Sequence, residues 1–370
     1  MLEKGAIFMA NTYNIPEMTA GDVIRQLTDL YQTAYVLRTF QKIPSVALWG
    51  PMGVGKSTLV KEVAESLSEL LGIEVRVTDI RLLHFSPVDL RGIPSADAEK
   101  EFTVWLKPKI FDLPEDGINI LFLDEISAAP QSLQAAAYQI ALDKRIGEFE
   151  LPENCIVICA GNRTTDKSVA FRMPKALANR LLHFEIVSDF DGWYEWALQH
   201  DIDERVIGYL AFDNSRLSTE PGVEDLAFPT PRSWEFVSNL LRTTGKSPEE
   251  AHGLISGCVG VSNALEFENW CQVYRKLPKT GDILAGKCTA AARETDVIYA
   301  LISSLLKCVS DRKETISNIE LENVCAYVSQ FPADFSALFF RGLLTIDDMN
   351  MKLTRVSSFA VWIKNNRRFL

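Results

Sequence analysis

Apolar patterning divides this chain near residue 189. Before that point, short strand-like segments at 45–49, 74–80, 118–123, 155–160 and 182–187 are set apart mostly by apolar residues at helical spacing. Because helical patterns separate most of these strands, a parallel five-stranded sheet covered on both faces is predicted. Val23, Ile24, Leu27, Leu30, Tyr31, Ala34 and Leu37 predict one covering helix over 21–40. Leu59, Val60, Val63, Leu67 and Leu70 predict another directly after the first strand.

Beyond Asp189 the strand pattern stops. Helical spacing continues near 191–212, 232–242, 247–257 and 260–276, then breaks at Lys276-Leu277-Pro278-Lys279-Thr280-Gly281. It resumes near 293–308 and 316–330, ahead of the apolar segment 335–340. The predicted organisation is a flexible segment over 1–20, an α/β domain over 21–189, an α-helical lid over 190–277 and a C-terminal helical region over 278–370. Met9, followed by Ala-Asn-Thr, is an alternative start to Met1.

With 370 residues, 47% of them hydrophobic, the chain can build two or three sizeable cores. It has no uninterrupted apolar stretch of membrane-spanning length, and its N-terminus lacks the apolar core of a signal peptide, so a cytoplasmic location is expected. Seven cysteines without a C-x-x-C pair, and histidines at 84, 183, 200 and 252 without ligand spacing, argue against a disulfide framework or structural zinc. Cys155 and Cys159 read as small buried hydrophobes. A net charge of −11 disfavours a broad nucleic-acid-binding surface. Lys364-Asn365-Asn366-Arg367-Arg368 reads as a solvated basic tail.

One motif decides the chemistry. Gly50-Pro51-Met52-Gly53-Val54-Gly55-Lys56-Ser57 satisfies G-x-x-x-x-G-K-[ST] between the first strand and a helix that Thr58 continues. This is the required context of a phosphate-binding loop. Gly50, Gly53 and Gly55 let successive N–H groups converge on phosphate at a helix N-terminus. Lys56 can bridge the β- and γ-phosphates, and Ser57 can hold Mg²⁺. The strand 118–123 runs into Asp124-Glu125, where Asp124 suits the Mg²⁺ water shell and Glu125 the orientation or deprotonation of an attacking water. An adjacent Glu suits hydrolysis, whereas a kinase must exclude water. The fourth strand ends in Ala160-Gly161-Asn162-Arg163, from which Asn162 can hydrogen-bond the γ-phosphate or the water.

These motifs, together with Ala176-Leu177-Ala178-Asn179-Arg180 and Pro229-Thr230-Pro231-Arg232-Ser233-Trp234, follow the order and approximate spacing of AAA+ ATPases. The chain resembles the MoxR group, which shares a helix-2 insertion with dynein-type modules and magnesium chelatase, over about residues 40–275. The fold implied is a P-loop AAA+ α/β core followed by a helical lid. Residues 83–94 leading to 103–108 resemble the insertion, expected to project toward a ring axis, and 143–152 resemble the pre-sensor hairpin. The resemblance assigns Asn162 as first sensor, Arg180 as arginine finger, with Arg163 and Arg172 as competitors, and Arg232 as second sensor acting in cis or in trans.

What the resemblance implies is an ATP- and Mg²⁺-dependent homo-oligomer, expected to be hexameric, that remodels a protein client. ATP is favoured over GTP by the resemblance, and no N-K-x-D motif follows the phosphate loop. Because the chain has no D-x-S-x-S motif, a von Willebrand A domain partner would be a separate polypeptide. The alternative is an AAA+ motor or clamp on nucleic acid, against which the acidic balance argues. A P-loop kinase is the third reading.

Overall fold

The computed structural model describes residues 14–163, 173–222 and 224–369, in two compact units that divide after Ser188. In the first unit the strands are β1 (Glu17–Met18), β2 (Val46–Trp49), β3 (Val75–Arg81), β4 (Ile93–Ala96), β5 (Thr103–Leu106), β6 (Ile118–Asp124), β7 (Arg145–Ile146), β8 (Phe149–Glu150), β9 (Cys155–Gly161) and β10 (Leu182–Ile186). Its helices are α1 (Ala20–Leu37), α2 (Lys56–Leu71), α3 (Pro87–Arg91), α4 (Gln131–Asp143) and α5 (Lys175–Ala178). The main sheet has 6 strands in the order β1-β10-β2-β9-β6-β3, and every pairing in it is parallel. All five predicted strands are present.

The sixth strand corrects the sequence reading. Glu17 and Met18, inside the segment predicted to be flexible, pair with Glu185 and Ile186 of β10. The candidate start at Met9 lies outside the described residues. Thr19 then ends the strand and caps α1, its hydroxyl accepting from the Asp22 N–H at 3.1 Å.

Alternation explains why β6 and β9 look uniformly apolar. Ile118, Ile120 and Phe122 enter one core with Ile156 and Ile158, whereas Leu121 and Leu123 enter a second core with Val157 and Cys159. The first core takes Val23, Leu27 and Tyr31 of α1 and Leu59, Val63 and Leu67 of α2, so the helix after the phosphate loop covers that face. The second takes Leu133, Ala137 and Ile140 of α4. Both faces of the central strands β6 and β9 are thereby buried, as in parallel sheets covered by helices. Burial pushes the Cys155 and Cys159 thiols up to about 12, in keeping with a packing role.

The two predicted small features are both hairpins. β4 pairs antiparallel with β5, and β7 with β8. Gly92 precedes β4 with φ 92°, and a Cβ there would lie 2.1 Å from the Leu106 carbonyl oxygen, so glycine sets the root of the first hairpin.

The second unit is helical: α6 (Phe190–Gln199), α7 (Glu204–Phe212), α8 (Pro231–Thr244), α9 (His252–Val259), α10 (Val261–Cys271), α11 (Thr280–Leu284), α12 (Thr295–Asp311), α13 (Asn318–Val328), α14 (Ala333–Leu344), α15 (Met349–Leu353) and α16 (Ser357–Asn366). The helical stretch read as 191–212 is two helices, because Asp203 caps α7 by accepting from the Arg205 N–H at 2.9 Å. One hydrophobic core runs from Trp193 to Trp362. The predicted boundary between lid and C-terminal region, near 277, therefore crosses a shared core: Leu210 and Phe267 on one side of it pack with Leu301 and Leu305 on the other. Among the described residues, no helix is long and apolar enough to cross a membrane.

Candidate nucleotide site

The turn from β2 to α2 holds the first group of side chains. Gly53 and Gly55 adopt φ of 75° and 99°, left-handed values that curl the loop before Lys56. Gly50 is required for closeness instead, since a Cβ there would lie 2.7 Å from the Ile186 carbonyl oxygen. Lys56 is 9% exposed. Its ammonium donates to the carbonyl oxygens of Gly50 at 2.7 Å and Pro51 at 3.0 Å, and to Asn162 Oδ1 at 3.0 Å. A buried charge needs such partners, and these converge where the loop opens. Met52 is exposed at the tip of the loop, Val54 is buried beneath it, and Thr58 lies in the first turn of α2.

The adjoining strand ends supply the second group. Ser57 Oγ lies 3.3 Å from Asp124 Oδ2, the two meeting between α2 and the end of β6. A hydroxyl and a carboxylate form an all-oxygen donor pair suited to a hard cation. Among the described residues, no group of three or more His, Cys, Asp or Glu is arranged to hold a metal. Asp79 on β3 joins this edge: partial desolvation and the Asp124 charge raise its carboxyl above the usual range.

Glu125 follows Asp124 in a conformation that its sequence does not announce. Its φ is 59°, a left-handed value that costs a non-glycine residue about 1–2 kcal/mol. Surrounding hydrogen bonds hold it there. The Glu125 N–H donates to Asp124 Oδ1 at 2.8 Å, and the Ile126 N–H donates to the Ala160 carbonyl at 2.9 Å. The side chain is half-buried. The same turn carries Ser127, which the sequence reading missed. Its hydroxyl accepts from the Asn162 N–H at 2.9 Å and so fixes the residue that contacts Lys56. A serine three residues past a strand-end Asp gives no sequence signal of that role.

The structure thus forms two hydrogen-bonded pairs from the neighbouring Lys56 and Ser57, Lys56 with Asn162 and Ser57 with Asp124, and Glu125 follows Asp124 directly. The arginines are placed differently. Arg180 is exposed on the turn between α5 and β10, its N–H donating to the Leu177 carbonyl at 3.0 Å. Arg163 pairs at 2.9 Å with Glu185, whose side chain is 6% exposed, so it serves an internal ion pair. Arg172 lies outside the described residues. Arg232 is exposed in the first turn of α8, in the second unit, where Thr230 and Ser233 form a capping box.

Comparison with known proteins gives one family. Residues 46–187 match the ATPase family associated with various cellular activities (AAA). No curated protein sequence matches the chain. Among solved structures, NtrX from Brucella abortus in complex with ATP is 14% identical over 93% of this chain and 68% of that one, with a TM-score of 0.38. Another NtrX structure gives a TM-score of 0.37 at 14% identity over 62% of this chain, which spans about half (52%) of that one. The Aeropyrum pernix ORC2 protein is 10% identical over 93% and 97% of the two chains, with a TM-score of 0.39. Likenesses of this size carry no argument about ligands or partners.

Proposed function

With the match of residues 46–187 to the AAA ATPase family as the premise, we propose that this chain is the Mg²⁺-dependent ATP-hydrolysing subunit of a MoxR-like ring that remodels or matures a protein client. The observation that carries the reading is that the adjacent Lys56 and Ser57, at the end of a glycine-curled loop, pair with Asn162 and Asp124 from two neighbouring strand ends. In this reading the Lys56 ammonium exchanges its carbonyl partners for the β- and γ-phosphates. Ser57 and Asp124 would hold Mg²⁺, which would supply neutralisation of phosphate charge. Glu125 takes the proton of the attacking water, and Asn162, steadied by Ser127, registers the γ-phosphate.

Arg180 is exposed, as a residue that enters a neighbouring subunit's site must be, whereas Arg163 is engaged with Glu185. The ring is hexameric in this reading, Arg232 acts as second sensor, and a separate von Willebrand A domain protein is a partner. The β4–β5 hairpin, with Ile93, Phe102 and Leu106 exposed, faces the ring axis and the client. A cytoplasmic site of action belongs to the same proposal.

The test is ATP turnover across protein concentration, with mass photometry on the same samples. Turnover per subunit should rise as a ring assembles. Glu125→Gln should lower it by about 10²–10⁴-fold, and Arg180→Ala by about 10³–10⁵-fold with assembly intact. A monomer at every concentration, with Arg180→Ala fully active, would overturn the ring reading.

A further inference from the structure

Trp49 and His183 form a polar array that no step above uses, and it links the strand ends of the nucleotide site to the turn of Arg180. Trp49 is the last residue of β2, directly before Gly50. Its indole lies on the sheet face opposite α2, packed beside the Gly161 backbone, where an added Cβ would meet Trp49 Cζ3 at 2.8 Å. Gly161 immediately precedes Asn162. On the other side, Trp49 Nε1–H donates to His183 Nδ1 at 2.9 Å, with the two ring planes 23° apart and their centroids separated by 6.1 Å. His183 Nε2 lies 2.7 Å from the carbonyl oxygen of Ala178. That residue ends α5, and Arg180 follows two positions later.

Both imidazole nitrogens are therefore committed. An indole N–H can only donate and a carbonyl can only accept, so the contacts assign the neutral Nε2–H tautomer. Each hydrogen bond is directional, so together they fix the ring against β2 and against the end of α5 at once. A phenylalanine or leucine at position 183 could fill the same half-buried space but would hold neither partner. The array crosses β9, β2 and β10, which are neighbours in the sheet.

We propose that the Trp49–His183 pair is a positioning device that holds the Arg180 turn in register with the strand ends bearing Lys56 and Asn162, and so sets the hydrolysis rate at the site to which Arg180 is offered. It rests on the reading of Arg180 as the acting arginine. His183 touches no reacting atom. Its influence passes through the geometry of Arg180, where a displacement on the order of 1 Å is enough to cost up to about 10²-fold in rate.

The test uses full-length wild type, His183→Phe, His183→Gln, Trp49→Phe, Arg180→Ala and the His183→Phe/Arg180→Ala double variant. The readouts are kcat, KM for ATP, binding of a fluorescent ADP analogue, and ring assembly by mass photometry. His183→Phe should lower kcat by about 10–100-fold while ADP affinity and assembly stay near wild type. His183→Gln, which retains a donor for the Ala178 carbonyl, should recover part of the rate. Trp49→Phe, which keeps an aromatic ring but loses the N–H, should show the same kcat-only loss even if His183→Phe fails to fold. The double variant should be no slower than Arg180→Ala alone, because both changes remove one function. A His183→Phe protein with unchanged kcat, or a double variant that loses the product of both effects, would overturn the proposal while leaving Arg180 in its role. An inert Arg180→Ala would instead sink the reading beneath it.

Discussion

In the α/β unit, the buried Lys56 and Asp124 meet Asn162 and Ser57 at the strand ends, so their polar atoms face one another around the mouth of a loop. In the helical unit, Ser238, Ser303 and Ser336 are at most 3% exposed, and each ties one helical segment to another. Ser238 Oγ accepts from the Asp203 N–H at 2.8 Å, Ser303 Oγ lies 2.6 Å from the Tyr274 hydroxyl, and Ser336 Oγ accepts from Trp362 Nε1–H at 2.8 Å. Burial of a polar group therefore does not by itself mark chemistry. What separates the two cases is where the remaining lone pairs and protons point: toward a loop mouth in one unit, into a closed helical core in the other. The first arrangement should show itself in turnover and the second in stability.

Among the tests of this contrast, Lys56 gives the largest expected effect. Lys56→Ala should reduce turnover by at least about 10²-fold and weaken ADP binding, because a donor aimed at phosphate is lost. Its melting temperature should stay close to wild type, since the acceptors it leaves, the Gly50 and Pro51 carbonyls and Asn162, lie at the loop mouth where water can replace the ammonium. A collapse in thermal stability measured by calorimetry would break the comparison at its strongest point.

Gly208 offers the converse. A Cβ there would lie 2.6 Å from Ser303 Oγ, 2.7 Å from Trp270 Cη2 and 2.8 Å from the Tyr274 hydroxyl, which also donates to the Glu204 carbonyl at 2.9 Å. Gly208→Ala overpacks this knot, and the expected loss is about 2 kcal/mol. That corresponds to a melting temperature lower by about 4–8 °C. Below the transition, turnover per folded subunit should stay at the wild-type value. Ser336→Ala is milder: it leaves the buried Trp362 N–H without its acceptor, a cost of about 1–2 kcal/mol seen as a lower denaturation midpoint.

The same contrast governs what could be read from the sequence. Glycine spacing at 50, 53 and 55 and a carboxylate at the end of an apolar strand are local signals, because the phosphate loop and the strand end are contiguous in the chain. β1 gave none: two residues held by backbone pairing to β10 have no side-chain period to display. Glu125 at φ 59° was equally hidden, since left-handed backbone is announced only by glycine and, less strongly, asparagine or aspartate. Ser127 and His183 matter through partners 35 and 134 residues away in sequence, Asn162 and Trp49, which a linear reading cannot pair. In the helical unit the period identified helices but not their association, so the core shared across position 277 came only from packing.

The smallest effect tests whether a charge in the helical unit also acts only on stability. Glu320 completes the capping box of α13: its carboxylate accepts from the Ser317 N–H at 2.9 Å and the Ser317 hydroxyl at 2.8 Å, and pairs with Arg312 at 2.7 Å. These contacts, the Ser317 N–H foremost, lower its carboxyl to about 2 from an ordinary value of 4.5. A folded value below the unfolded one means stability that is fully present above about 4.5 and is lost as pH falls toward about 2. The site is open to solvent, so screening limits the contribution to about 0.5–1 kcal/mol. Glu320→Gln keeps an acceptor for the cap and removes the charge. In urea titrations it should be less stable than wild type at neutral pH by roughly that amount, converge with wild type as pH falls through the window, and differ less at high salt. A gap that persists at the acid end would assign the effect to cap geometry instead of charge. Any change in turnover at neutral pH would show that ionic caps in the helical unit reach the nucleotide site, and the division between chemistry and architecture would have to be redrawn around them.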